Sequence, residues 1–365
     1  MITLIGPPRG FGNQNSIERN MKKIQKTTKE KVLLTGISGY IGLYCAKELL
    51  ENGFSVRGTV RNLAKKQQVL ETLEQNRVNT ENLEFSVLDL TSDKGWGKAI
   101  KDCTYIMHVA SPYSVTNPKN DADMMVPAVE GTTRIMKLAK KAKIKRVVLT
   151  SSIVSMMCSI RHGKFGPDDW TDINYPKLNT YIKSKTLAEK AAWSSLDNGK
   201  NSENPELVVI APGGVFGPPL GDDITGESLS ILSKMLDGKI PFVPKTAFPM
   251  SDVRDVAHLH VKALKNKRAA GKRFIASGAD PISFVGAATI LNENGYKRPN
   301  TKIAPAWLLN LMALFDREAR GMVGILDMHL EADNSATIKT FKWTPIPFEK
   351  SLIESAAAVS KIKAR

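Results

Sequence analysis

Cysteine is almost missing from this chain of 365 residues: Cys45, Cys103 and Cys158 are few, odd in number and far apart. No metal-ligand spacing links them, so neither a disulfide framework nor a metal site is expected, and they read as reduced thiols of a cytoplasmic protein. Also absent is any apolar run near the roughly 20 residues that span a bilayer, which argues against a membrane span. Acidic residues are outnumbered by basic ones, 36 to 52, for a formal charge of +16. Such an excess raises the question of nucleic acid. The basic residues are nevertheless spread along the chain, with local runs only at Met21–Lys31, Lys137–Arg146 and Lys262–Arg273. No helix-turn-helix, zinc-finger or aromatic RNA-binding pattern accompanies them, so a solvated basic surface is expected and no specific nucleic-acid partner. No internal repeat of period about 20–50 is found either.

What is present is ordinary in bulk and specific in detail. A hydrophobic content of 42% at this length supplies core enough for one large α/β domain with an appendage, or for two domains. Residues 1–30 are expected to lie outside the fold. Ile2–Ile5 is too short for a signal-peptide core, and Pro7, Pro8, Gly10 and Gly12 break any element there; Met21 is an alternative start, and a transit peptide is the weaker reading.

The organising stretch is Lys31–Gly42. Val32, Leu33 and Leu34 form a short apolar run suited to a buried strand, Thr35 to Gly39 a turn, and Tyr40–Asn52 a helix with Ile41, Cys45, Leu49 and Leu50 on one face. Gly36, Gly39 and Gly42 punctuate that passage. Gly36 suits the tight turn, Gly39 lets backbone approach a pyrophosphate, and Gly42 lets helix and strand pack closely, with phosphates meeting the unpaired N–H groups at the helix start. Ser38 in the turn and Tyr40 and Ile41 at the helix start are assigned to the cofactor with them. A second strand, Phe54–Val60, is followed by Arg61 and the pair Lys65 and Lys66. An acid usually stands at the end of this strand to bind the ribose hydroxyls of NAD. Here Arg57 and Arg61 stand without one, and a guanidinium pairs with a 2′-phosphate that a carboxylate would repel. NADPH is therefore expected over NADH, with Arg61 and Lys66 at the phosphate.

Strands at Leu83–Leu88 and Tyr105–Val109 end at Asp89-Leu90 and at His108 to Ser111. Strand ends on this side of a parallel sheet face the ligand crevice, which puts Asp89 and Leu90 near the adenine and Val109, Ala110 and Ser111 near the cofactor's middle. His108 reads as a packed histidine rather than a base. Helix Val126–Ala142, strand Arg146–Leu149 with Thr150 to Ser152 at its end, a helix opening at Thr180 and strand Glu206–Ile210 follow. The alternation predicts a right-handed, doubly wound parallel α/β sheet of Rossmann type. From Val215 the texture changes. Helices are expected at Leu229–Leu236, Asp252–Leu264, Phe284–Asn292, Ala306–Phe315 and Phe348–Val359, a strand at Arg273–Ser277, and a proline-bounded connection after Ile240–Val243. The expected division is a cofactor unit over 31–212, with a return at about 250–265, and a discontinuous substrate lobe over 213–249 and 266–360.

Tyr181 and Lys185 stand four apart, one helical turn on the same face. An ammonium beside a phenol favours phenolate, so Lys185 is expected to lower the tyrosine's pKa from about 10 and make Tyr181 a proton donor to a developing alkoxide. Lys185 would also bond the nicotinamide ribose, and a serine hydroxyl would orient the carbonyl.

The ordered set of Thr35 to Gly42, Arg61, Asp89-Leu90, His108 to Ser111, Thr150 to Ser152, Tyr181 to Trp193, Pro212 to Pro218, Asp252 to Ala257 and Trp343 to Pro345 resembles the extended short-chain dehydrogenase/reductases, of the dihydroflavonol reductase and ketoreductase type. The resemblance runs from about Lys31 to the C-terminal helix. It implies that the second serine, Ser152, is catalytic beside Tyr181 and Lys185, and that Pro212, Gly213 and Val215 border the cofactor. It implies an NADPH-dependent reductase of an aldehyde or ketone, for which a homodimer is allowed. Asn179 to Ile182 lacks the run that cinnamoyl-CoA reductases carry, and Ile153-Val154 stands where sugar-nucleotide dehydratases carry an acid pair. A hydroxysteroid-type or sugar-nucleotide enzyme of the same fold is the near alternative, and a non-turning NADP(H)-sensing protein the distant one. Met156 and Met157 suit pocket or core equally. Phe216, His162 and Trp170 read as packing residues before pocket residues.

Overall fold

Val32 and Leu34 point to one face of the first strand and Leu33 to the other, and each face feeds its own core. That division fixes a strand buried on both sides, as a parallel sheet requires. The computed structural model describes residues 30–111, 120–196, 204–315 and 323–365. Its elements in chain order are β1 (Lys31–Thr35), α1 (Tyr40–Glu51), β2 (Ser55–Val60), α2 (Ala64–Gln75), β3 (Leu83–Val87), α3 (Trp96–Ile100), β4 (Tyr105–His108), α4 (Ala122–Lys141) and β5 (Arg146–Thr150). Then come α5 (Val154–Met157), β6 (His162–Phe165), α6 (Thr180–Ser194), β7 (Glu206–Pro212), β8 (Gly214–Phe216), α7 (Glu227–Leu236), β9 (Ala247–Phe248), β10 (Met250–Asp252) and α8 (Val253–Lys265). The chain closes with β11 (Lys272–Ala276), β12 (Ile282–Ser283), α9 (Phe284–Glu293), α10 (Ala306–Met312), β13 (His329–Ala332), α11 (Ser335–Phe341) and α12 (Phe348–Lys363).

Seven strands pair in the order β11-β7-β5-β4-β1-β2-β3, every pair parallel. The order reverses between β1 and β4, and that reversal opens a crevice at the strands' carboxyl ends. The doubly wound sheet is as expected. The division of the chain differs from the one drawn on sequence. Lys272–Ala276, expected in the substrate lobe, is an edge strand of the main sheet, and Phe341 and Trp343 pack into the core on the α1 side. Conversely His162–Phe165, expected in the cofactor unit, pairs in parallel with His329–Ala332 in a four-stranded sheet ordered β12-β9-β13-β6. A further apolar cluster joins α7, α9 and α12 through Leu229, Leu232, Ala288, Leu291, Leu352 and Ala356. Val243 makes an isolated parallel bridge to Ile303. Asp252, buried at the start of α8, caps that helix by accepting from Arg254 N–H at 2.8 Å and accepts from Ser351 Oγ of α12 at 2.6 Å, so one carboxylate ties the last helix to the start of α8. Among the described residues no helix is long and apolar enough to cross a membrane.

Candidate active site

At the end of β1 the chain turns through Gly36 at φ +73°, a left-handed conformation costly for any residue with a Cβ. A Cβ there would meet Ala110 Cα at 2.9 Å, and one on Gly42 would sit 2.0 Å from the Gly36 carbonyl oxygen. The turn is therefore closed by two glycines that nothing larger replaces. Gly39 caps α1 without a capping side chain, so the first N–H groups of that helix face the crevice ready for an anion. Thr35 Oγ1 accepts from Ala110 N–H at 3.0 Å and lies 2.8 Å from His108 Nδ1, locking the ends of β1 and β4 together. His108 is buried, and desolvation lowers it to about 3, so it stays neutral and packed.

These elements border one cavity of about 970 Å³. Into it the structure brings Gly36, Ser38, Gly39, Tyr40, Ile41 and Gly42 from the glycine turn and Arg61 from the end of β2. Asp89 and Leu90 follow β3, and Val109, Ala110 and Ser111 follow β4. Ser152, Tyr181, Lys185, Pro212, Gly213 and Val215 complete the wall. One residue of the expected phosphate site, Lys66, is elsewhere. Lys66 Nζ lies 5.7 Å from the centroid of the Phe85 ring, while its neighbour Lys65 lines the cavity. One residue along α2 rotates a side chain by a large angle, so only one of the adjacent lysines faces inward. Arg57, on the strand itself, donates to the carbonyl oxygens of Ala99 at 2.8 Å and Lys101 at 2.7 Å and pairs with Glu84. Arg61 lies just past the strand end, where strict alternation lapses.

The residues expected to be catalytic are carried by α6 and the turn after β5. Asn179 caps α6 by accepting from Ile182 N–H at 2.9 Å, which sets Tyr181 in the first turn and Lys185 one turn on. The Tyr181 phenol is hydrogen-bonded to the Ser152 hydroxyl. The expected lowering of the phenol by Lys185 is not found. Burial dominates and holds Tyr181 above its ordinary value, with the Ser152 bond pulling weakly the other way. Burial also brings Lys185 down to about 8, against the pull of Glu189, which raises it. The phenol is thus kept protonated at neutral pH, which is the state a proton donor needs.

Beyond this group the wall is largely apolar, with Val154, Met157, Phe216, Ile231, Phe248, Met250, Phe284 and Ile325, and Glu227 and Ser228 at the start of α7 are the polar residues nearest Ile231 along the chain. Of the paired methionines only Met157 reaches the cavity; Met156 is core. Phe216 lines the cavity, against expectation, whereas Trp170 stacks on Arg273 at 3.8 Å and His162 is exposed on β6. Ile231, Phe248, Phe284 and Ile325 carried no local signal, because each reads as an ordinary core position of its own element.

The profile of the NAD dependent epimerase/dehydratase family matches residues 32–276, which span β1 through β11. The chain belongs to that family. Among its members it is similar to the ketoreductase azaE of Aspergillus niger, at 35% identity over 67% of this chain and 77% of the relative. It is also similar to the NADPH-dependent methylglyoxal reductase GRE2 of Saccharomyces cerevisiae, at 29% identity over 72% of this chain and 82% of the relative. The crystal structure of yeast methylglyoxal/isovaleraldehyde reductase Gre2 complexed with NADPH shares the fold, with a TM-score of 0.73 and 24% identity over 92% of this chain and 99% of that one. The family's glycine turn, at Gly36 to Gly42 here, fits a dinucleotide on the structure's own terms. A Cβ at Gly36 or Gly42 would strike backbone, the α1 N–H groups are free of side-chain caps, and Arg61 and Lys65 stand at the far end for a 2′-phosphate.

Proposed function

We propose that this chain is an NADPH-dependent reductase of an uncharged, largely apolar aldehyde or ketone, in which Ser152, Tyr181 and Lys185 are the catalytic group. The observation that carries the reading is a single cavity with a glycine turn and Arg61 at one end, the Ser152–Tyr181 pair in the middle and an apolar wall at the other. The glycine turn and α1 hold the pyrophosphate, Arg61 and Lys65 the 2′-phosphate, and Lys185 the nicotinamide ribose. Bound NADPH supplies the hydride to the carbonyl carbon. Ser152 donates a hydrogen bond to the substrate oxygen and orients it, and Tyr181 gives its proton to that oxygen as negative charge grows, leaving an alcohol. Burial keeps the phenol protonated until the alkoxide forms beside it.

Among the described residues lining the cavity the cations are Arg61, Lys65 and Lys185, and none stands at the apolar end. A thioester of coenzyme A or a sugar diphosphate would bury phosphates there without a partner, at a cost an apolar carbonyl compound avoids. Oxidation of NADPH against a panel tests this. Turnover is expected with aliphatic and aryl ketones and aldehydes and not with acyl-coenzyme A or sugar nucleotides, and turnover only on the anionic compounds would reject the proposed class. Because Lys185 is brought to about 8, kcat for reduction is expected to fall as pH rises through that value, while the phenol remains protonated. A kcat flat from neutral pH well past that point would show that the Lys185 charge is not needed. The same reading places the chain in the cytoplasm, where its three free thiols stay reduced, and allows a homodimer, which light scattering would detect.

A further inference from the structure

Behind the catalytic group, and not in contact with the substrate end of the cavity, lies a buried acid that the proposed chemistry does not use. Glu189 is 1% exposed and stands one helical turn beyond Lys185 and two beyond Tyr181 on α6. Its carboxylate reaches three parts of the fold. Oε2 accepts from Ser151 Oγ and, at 2.7 Å, from Ser155 Oγ; Ser151 precedes Ser152 in the turn after β5 and Ser155 follows it in α5. Ser155 Oγ is in turn 2.8 Å from the Ser152 carbonyl oxygen. Oε1 accepts from Arg273 Nε at 2.6 Å and from Trp193 Nε1 at 3.3 Å. Arg273, on the edge strand β11, also donates to the carbonyl oxygens of Pro167 and Asp169 at 2.8 and 2.6 Å and stacks on the Trp170 ring.

We propose that Glu189, held by Arg273, is the positioning residue that registers the Ser152 turn against the Tyr181–Lys185 helix. The physical reason is that Ser152 and Tyr181 lie on separate elements whose relative placement must hold to a fraction of an ångström for one substrate oxygen to meet both hydroxyls. The backbone of the turn is held to β7, by Ser151 N–H to the Ile210 carbonyl at 2.8 Å and Ile153 N–H to the Pro212 carbonyl at 2.9 Å, and to itself by Ser155 N–H to the Ser152 carbonyl and Val154 N–H to Ser152 Oγ; none of these bonds reaches α6. Glu189 supplies the bond across the gap, on both sides of Ser152 at once. A neutral hydrogen-bonding residue would bridge the serines, but only a carboxylate also satisfies the buried guanidinium from β11.

The carboxylate has a second consequence. The groups facing Lys185 are Glu189 on its own helix and the neutral His108 on β4, with the Arg273 cation lying beyond Glu189. Glu189 raises the affinity of Lys185 for its proton. Replacing the carboxylate by an amide removes that support and leaves Arg273 unopposed, and both changes drive the Lys185 proton off at lower pH.

The proposal rests on the reductase reading, and the wild-type protein separates the two: absence of any carbonyl turnover would reject the reductase reading itself. Given an active wild type, Glu189→Gln is expected to lower kcat about 10- to 100-fold, as an ångström-scale misplacement does. NADPH binding, read by fluorescence titration, is expected to change by less than about threefold, because no contact to the cofactor wall is lost. The alkaline fall of kcat is expected to move to lower pH. Ser155→Ala, a milder change that keeps the Glu189–Arg273 pair, is expected to give a smaller loss in kcat with NADPH binding intact. A folded Glu189→Gln with wild-type kcat, or with a lower kcat but an unmoved pH profile, overturns the proposal. Should Glu189→Gln fail to fold, Ser155→Ala decides, and wild-type kcat in that variant overturns it.

Discussion

Tyr181→Phe is expected to lower reductive kcat by about two to four orders of magnitude, the usual worth of a positioned general acid. NADPH affinity is expected to stay within about threefold of wild type, because the change removes one oxygen and leaves the ring. The asymmetry follows from where Tyr181 stands. Its hydroxyl is bonded to Ser152, on the substrate side of the cavity, whereas the glycine turn and Arg61 are borne by β1, α1 and β2 on the other side. Burial holds the phenol above its ordinary value, so the proton is in place at every working pH and is surrendered only to a strongly basic alkoxide. Single-turnover rates with a ketone, together with cofactor titration, measure the two quantities separately. Unchanged turnover in this variant would remove Tyr181 from the mechanism.

Arg61→Ala is expected to weaken NADPH binding by about tenfold or more while leaving NADH nearly unchanged, since a charge-assisted contact to a 2′-phosphate is lost and the ribose contacts are not. Two features bound the size of the effect. Arg61 is exposed, so water screens part of its charge, and Lys65 lines the same end of the cavity and retains some attraction for the phosphate. Arg57 does not share the task, being spent on the carbonyl oxygens of Ala99 and Lys101. Equal loss for the two cofactors would overturn the assignment of Arg61. A Lys65→Ala variant with the same selective loss would show the two cations acting together.

Much of this fold is legible because its strands are short, apolar on both faces and separated by helices of ordinary length. The runs at Val32–Leu34 and Arg146–Leu149 are of this kind. Where that contrast fails, so does the reading. Helix α2 carries no such signal, because Val69, Thr72 and Leu73 are its only buried residues, too few to mark a stripe among polar and charged ones. Strand β6 reads His-Gly-Lys-Phe with only Phe165 buried, and β13 alternates around Glu331. Both are strands because each finds the other across some 165 residues of chain, a pairing no local pattern announces.

Taken alone, the order of residues determines that a glycine turn follows a buried strand, that no acid stands where NAD would want one, and that a tyrosine and a lysine share a helical face. These are facts of spacing and side-chain type, and they hold however the chain folds beyond its neighbours. Only the tertiary structure decides that Lys65 rather than Lys66 faces the cavity, that burial rather than Lys185 governs the Tyr181 phenol, and that Glu189 reaches both serines beside Ser152. Each of those depends on desolvation or on contacts between distant segments, and both arise only when the chain has closed on itself.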